Sequence, residues 1–209
     1  MEVADNIWMI QMSDNPISQH FKNMVLPSWH GRGYYPHLYE AIQPRHLDQC
    51  NALKFDSVFS YGTVNKGARF FTPTEKAVWY SHYNLWQKCI EMDRSLMVIE
   101  HDSMLSRQLP KSQIRDRDDI VLLGGYLTNT KFNRSKGLHW GYRKWPGGGY
   151  IMSPDKAKSL TLHLKYNIIN VNVDGFLAAF MKIDIKTWVI KQMIDNSIGT
   201  TIQHFKKQE

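Results

Sequence analysis

The clearest pattern of apolar and polar positions lies at residues 70–105. Thr72, Pro73, Thr74 and Glu75 form a capping box: the Thr72 hydroxyl can accept from the Glu75 amide, Glu75 can reach back, and Pro73 fills the first helical position. Val78, Ser81, His82, Leu85, Cys89 and Met92 then recur at helical spacing, with Glu75, Lys76, Gln87, Lys88 and Glu91 on flanking or opposite faces. This predicts a helix whose Val78-to-Met92 face packs inward. Asp93, Arg94 and Ser95 break the period, and Leu96, Met97, Val98 and Ile99 follow as an uninterrupted apolar run, the pattern of a parallel strand covered on both faces. Glu100, His101 and Asp102 come next. Polar groups at the carboxyl end of such a strand stand at the rim where ligands bind, the natural position for a metal or a phosphate.

Around this unit the pattern is more broken. Residues 7–12 read as a short apolar strand that opens the sheet and ends in Ser13, Asp14, Asn15 and Pro16. Residues 20–26 read as a short helix interrupted by Pro27, and 29–35 as a loop rich in Gly, Arg and aromatics, with a role as a substrate loop as one reading. A brief strand at 39–42 is stopped by Pro44, with 45–55 helical. Asp116, Arg117 and Asp118 imitate a metal-binding Asp-x-Asp, but they precede a strand at 120–123, whereas sites lie after strands. Gly147, Gly148 and Gly149 permit a backbone too close to a ligand for any side chain, or form a plain turn, before a strand at 150–153. Ser153 caps a helix running to about residue 164, with Pro154 at its first position. The apolar stretch 168–173 delivers Asp174 and Gly175, a helical turn or two follows at 176–181, a strand at 187–193, and a polar tail holds His204.

A length of 209 residues predicts a single domain spanning 1–209. No apolar run approaches the ~20 residues needed to span a bilayer. With only Cys50 and Cys89, at no paired metal spacing, the chain reads as a soluble cytoplasmic protein with no transmembrane segment. The net charge of +7 favours an anionic partner. Residues 131–145 carry Lys131, Arg134, Lys136, Arg143 and Lys144 with no acid, interleaved with Phe132, Trp140, Tyr142 and Trp145. Cations neutralise phosphates while flat rings stack, so Arg134, Trp140, Arg143, Lys144 and Trp145 are acceptor-binding candidates; a solvated loop is the alternative.

Taken together, Ser-His-x-x-Leu-Trp at 81–86, the apolar strand ending Glu-His-Asp, DIVLLGG at 119–125, GGGYIMSPDKAKSL at 147–160 and VDGFL at 173–177 resemble glycosyltransferase family 25, from about residue 70 onward. The resemblance implies an α/β, GT-A-like nucleotide-sugar-binding fold with a central, mostly parallel sheet flanked by helices. It further implies transfer of a sugar from a nucleotide-sugar donor to a hydroxyl, with inversion, assisted by Mn²⁺ or Mg²⁺. On that basis Asp102 is the principal metal ligand and a catalytic group, and Asp174 the catalytic base. His101, where the family usually has Asp, is a second ligand, since imidazole still coordinates Mn²⁺; weakened metal dependence is the other reading of the substitution. His204 completes the coordination. Asp14 and Asn15 would touch the base or ribose of the donor, with Glu100, Gly148 and Gly149 also on the donor side. His82 is expected to be a core histidine bonded to the neighbouring strand. The basic aromatic stretch puts a hydroxylated base in DNA, for example a hydroxymethylated one, first among acceptors. A phosphorylated glycan or lipopolysaccharide core comes second. A non-catalytic nucleic-acid-binding protein on the same fold is a further alternative.

Overall fold

Alternation along the central strands decides how the protein is layered. The computed structural model describes residues 6–57, 70–105, 108–109, 121–122, 149–180 and 191–192. In chain order these form β1 (Ile7–Gln11), α1 (Pro16–His30), β2 (His37–Glu40), a 3-10 helix (Pro44–Gln49), α2 (Pro73–Met92) and β3 (Leu96–Glu100). They continue through β4 (Ser103–Met104), β5 (Val121–Leu122), β6 (Gly149–Met152), α3 (Pro154–Tyr166), α4 (Val173–Phe180) and β7 (Lys191–Gln192). Five strands pair in the order β2-β1-β3-β6-β5. β1 is parallel to β2 and β3, while β6 is antiparallel to both β3 and β5, so four strands share one direction and β6 opposes them. The mostly parallel sheet flanked by helices is therefore as expected. Of the strand anticipated at 187–193, only Lys191–Gln192 fall among the described residues, as β7, which pairs with β4 outside the main sheet.

Successive residues of a strand point to opposite faces. Ile7, Met9, Met97, Ile99 and Ile151 pack with Val25 and Trp29 of α1. Ile10, Leu96, Val98, Tyr150 and Met152 pack on the other face with α2, α3 and α4. The capping box is present in α2, with Thr72 accepting from the Glu75 amide, and Asp93 ends the helix in a left-handed conformation at φ 46°. Its buried surface is wider than one stripe. Ser81, His82, Leu85 and Cys89 are buried as expected and Val78 and Met92 only half-buried, but Ala77, Trp79, Tyr80 and Trp86 are buried too. The reason is that α2 is covered on two sides. Trp79 packs edge-on to Phe176 of α4. The Tyr80 hydroxyl donates to the Cys50 carbonyl and accepts from the Leu53 amide.

Several local expectations are corrected. Residues 20–26 are part of the fifteen-residue α1, which runs through Pro27. Proline removes the bond to the carbonyl four residues back, here that of Asn23, but both residues are exposed, so water can satisfy that carbonyl. Meanwhile Phe21, Val25 and Trp29 hold the helix down, and the Trp29 indole donates to the Ser103 carbonyl at 2.8 Å. Trp29 is therefore a core residue, not part of a substrate loop. The second strand begins at His37, and Ile42 has already left it to donate its amide to Ser81 Oγ at 2.9 Å. The helix expected over 45–55 is only the 3-10 helix, because Leu53 is held by Tyr80 and Phe55 bridges Ile169. Residues 168–173 read in the sequence only as an apolar stretch that delivers Asp174. Apart from that bridge they lead into α4, capped by Asn172, whose Oδ1 accepts from the Gly175 amide at 2.8 Å. Among the described residues no helix is long and apolar enough to cross a membrane.

Candidate active site

The carboxyl ends of β1, β2 and β3 share one rim, since the three strands are parallel and Ile10 lies opposite Glu100. Each rim residue inherits its direction from the strand behind it. Glu100 falls on the α2 face, where its Oε1 lies 4.0 Å from His82 Nε2 and its side chain keeps 35% of its exposure, enough to meet a ligand. Burial among protein atoms pushes its carboxyl well above the usual range, and the charges of Asp102 and Asp174 push it further. His101, one residue on, is buried with its ring 6.2 Å from Phe21 of α1, and burial depresses its basicity against the opposing pull of Asp102. Glu-His-Asp, contiguous in sequence, is thus split between the two faces of the sheet.

Asp174 reaches this rim from α4. The Trp79 indole donates to the Val171 carbonyl at 2.9 Å, Asn172 caps the helix, and Phe176 packs against both Trp79 and Trp86. A Cβ at Gly175 would stand 2.8 Å from the capping Asn172 oxygen, so a larger residue there would have to displace the cap. Burial pushes the Asp174 carboxyl up to about 7, and its charge is felt by both Glu100 and Tyr150. Glu100 thus lies within electrostatic reach of Asp102 on one side and of Asp174 on the other. Behind Glu100, His82 Nδ1 meets the Tyr150 hydroxyl at 2.9 Å, and the Trp86 indole donates to the same hydroxyl at 2.7 Å. His82 is held near 4 by its burial. It is the core histidine bonded to the neighbouring strand that the sequence suggested. Tyr150 was passed over because it stands in an apolar run, and Trp86 was noted only as part of the 81–86 motif, although a tyrosine or tryptophan requires a polar partner once buried.

The β1 side of the rim is already internally bonded. Asn15 Oδ1 accepts from the Ile17 and Ser18 amides, both at 3.0 Å, so this oxygen caps α1 and is not free for a donor base or ribose. Asp14 is exposed and bonded to Gln43 and Arg45, which hold its carboxyl below the usual range. Glu40, which sequence reasoning passed over, accepts from the Ser13 amide at 2.8 Å and from Gln11 Nε2 at 2.9 Å. Gly149 is explained by the sheet: a Cβ there would lie 2.7 Å from the Val98 carbonyl, so the close approach is to β3 and not to a ligand. Gly148, His204 and the stretch holding Arg134, Trp140, Arg143, Lys144 and Trp145 lie outside the described residues. Among the described residues no group of three His, Cys, Asp or Glu is placed to hold a metal ion.

A mostly parallel sheet with helices on both faces and acids gathered at its carboxyl rim is the architecture of an α/β enzyme with its site at the strand ends. Glycosyltransferase family 25 (LPS biosynthesis protein) matches residues 17–138, more than half of the chain, and the chain belongs to that family. The protein is accordingly a glycosyltransferase. The match begins well before residue 70 and so takes in α1 and β2. It ends before Gly147 and Asp174: Gly147 rests on its likeness to the family's motifs alone, and Asp174 on that likeness and on its place in α4. No curated protein matches the chain closely enough to stand as a relative.

Proposed function

We propose that the protein transfers a sugar from a nucleotide-sugar donor to a hydroxyl of a glycan acceptor of the lipopolysaccharide type, in one cytoplasmic domain and with inversion at the anomeric carbon. What supports this reading is that Glu100, at the end of β3, feels the charges of both Asp102 and Asp174, the latter carried in by α4. In the step itself the acceptor oxygen attacks the anomeric carbon while the bond from that carbon to the diphosphate oxygen breaks. The acceptor proton passes to Asp174, and the nucleoside diphosphate leaves with the bonding pair. A base is most effective when its pKa lies near the working pH, and Asp174, pushed up to about 7, meets that condition.

The leaving diphosphate needs charge neutralisation. A Mn²⁺ or Mg²⁺ ion would supply it, since hard cations in phosphate sites take one or two carboxylates and complete their shell from the phosphates and water. Asp102 is the residue that would hold it. Such a site needs no cage of three protein ligands, which agrees with the carboxylates present. Acceptor identity has less behind it. The family's description points to lipopolysaccharide. A DNA acceptor rests only on the composition of residues 131–145. Mass spectrometry of products after incubation with a panel of nucleotide sugars, and with oligosaccharide or hydroxymethylated DNA as acceptor, tests both. A hexose or pentose added to the oligosaccharide is the expected result. Addition to DNA alone would reverse the acceptor assignment, and no addition to either would overturn the proposal.

A further inference from the structure

The bonds behind Glu100 have a direction. The Trp86 indole can only donate, so at 2.7 Å it uses one lone pair of the Tyr150 hydroxyl. That hydroxyl belongs to a buried residue and must place its own proton. Among the described residues its other hydrogen-bond partner is His82 Nδ1 at 2.9 Å. Tyr150 therefore donates to Nδ1, and the imidazole proton belongs on Nε2, the nitrogen 4.0 Å from Glu100 Oε1. We propose that Trp86 and Tyr150 fix His82 as its Nε2–H tautomer, so that this N–H faces Glu100 and orients its carboxylate at the rim, making Trp86, Tyr150 and His82 positioning residues for sugar transfer.

A separation of 4.0 Å is beyond hydrogen-bond reach. Bonds of this kind are often long in a resting site and shorten when substrate binds. Burial keeps the tyrosine protonated and the histidine uncharged at neutral pH, so the direction of the chain is stable there. Polar burial on this scale exceeds what packing α2 on β6 requires, because phenylalanine and leucine would fill the same space without needing partners.

The inference rests on the transferase reading, and its test separates the two. Two-bond proton–nitrogen spectra of the full chain, labelled with ¹⁵N-histidine, distinguish the tautomers. The His82 signal is identified by its loss in His82→Gln. The Nε2–H form is expected in the wild type and a mixture in Tyr150→Phe; the Nδ1–H form in the wild type overturns the inference whatever the turnover. In transfer assays His82→Asn should lower kcat about 10–100-fold with little change in donor KM. His82→Gln, whose longer amide can present an N–H toward Glu100, should recover most of that loss. Equal losses in the two variants overturn the positioning role. Should His82→Asn fail to fold, Tyr150→Phe, which keeps the ring, takes its place: a fall of about 10-fold supports the role and an unchanged kcat overturns it. A wild type that transfers to no acceptor sinks the transferase reading, and the tautomer still decides the chain of bonds.

Discussion

The two faces of the sheet behave differently at the same point on β3. On the α2 face the strand end meets Glu100, His82, Tyr150 and Asp174, four polar groups from four different elements. On the α1 face the next residue, His101, meets Phe21 and sits above a core of Val25, Trp29, Met97 and Ile99. Neighbours in sequence are strangers in space when a strand directs them apart. Polar groups are thus assembled across elements on one face, while the other face is packed with apolar side chains.

The largest test of this contrast is Asp174→Asn, which keeps the shape but cannot take a proton. It should lower kcat by about 10²–10⁴-fold with donor affinity retained, as measured by calorimetry. In the parent, kcat/KM should rise with pH through about 7 and level off above, a limb that the variant lacks. The sign for stability is the reverse. A carboxyl raised from 3.8 to about 7 binds its proton more tightly when folded, so its contribution is full below 3.8 and lost as pH rises to about 7. Asp174→Asn should therefore be more stable than the parent at neutral pH in a denaturant titration, while being far less active.

Asp102→Ala comes next, with a loss of about 10²–10³-fold in transfer and an unaltered circular dichroism spectrum. Near-normal turnover would remove Asp102 from the diphosphate. His101→Asp restores the family's usual residue, yet on the α1 face it would put a carboxylate against Phe21. We expect a stability loss of about 1–3 kcal/mol and an unchanged Mn²⁺ titration. Tighter Mn²⁺ binding would return this position to the metal and erase the difference between the faces. The smallest effect is expected from Asn15→Ala, about 1 kcal/mol of stability through the lost cap, with donor affinity unchanged. A fall in donor affinity without a fall in stability would make Asn15 a binding residue.

How much was legible in the sequence depended on whether a signal was local. The capping box of α2, the buried strand that begins at Leu96 and the Ser153 cap of α3 were all local and correctly read. Pro27 misled because its cost depends on which side of the helix faces water, and that is settled by Trp29 reaching Ser103. Gly149 was read for a ligand because spacing does not say that the Val98 carbonyl is what crowds it. In the candidate site, the acids were singled out one by one from their places beside strands and glycines, and they remain proposals. Their supporting residues, Tyr150 and Trp86, were not recognised as such. A tyrosine in an apolar strand and a tryptophan on a helix become partners only when α2 is laid across β6.

The pairing of β1 with β3 also bears on the order in which the protein acquires function. The Asn6 side chain reaches the Ser95 carbonyl, 89 residues along the chain, at 2.8 Å. Closing so long a loop is slow compared with winding α2, whose contacts are local. During synthesis the amino-terminal segment emerges first, so β1, α1, β2 and β3 can dock, with Glu100 and Asp102 at their rim, before α4 has been made. A nascent chain at that stage would hold the acids proposed to bind the donor and lack the one proposed to accept the proton. In the proposed reaction, transfer would thus switch on only once Phe176 packs against Trp79 and Trp86 and α4 carries Asp174 with it.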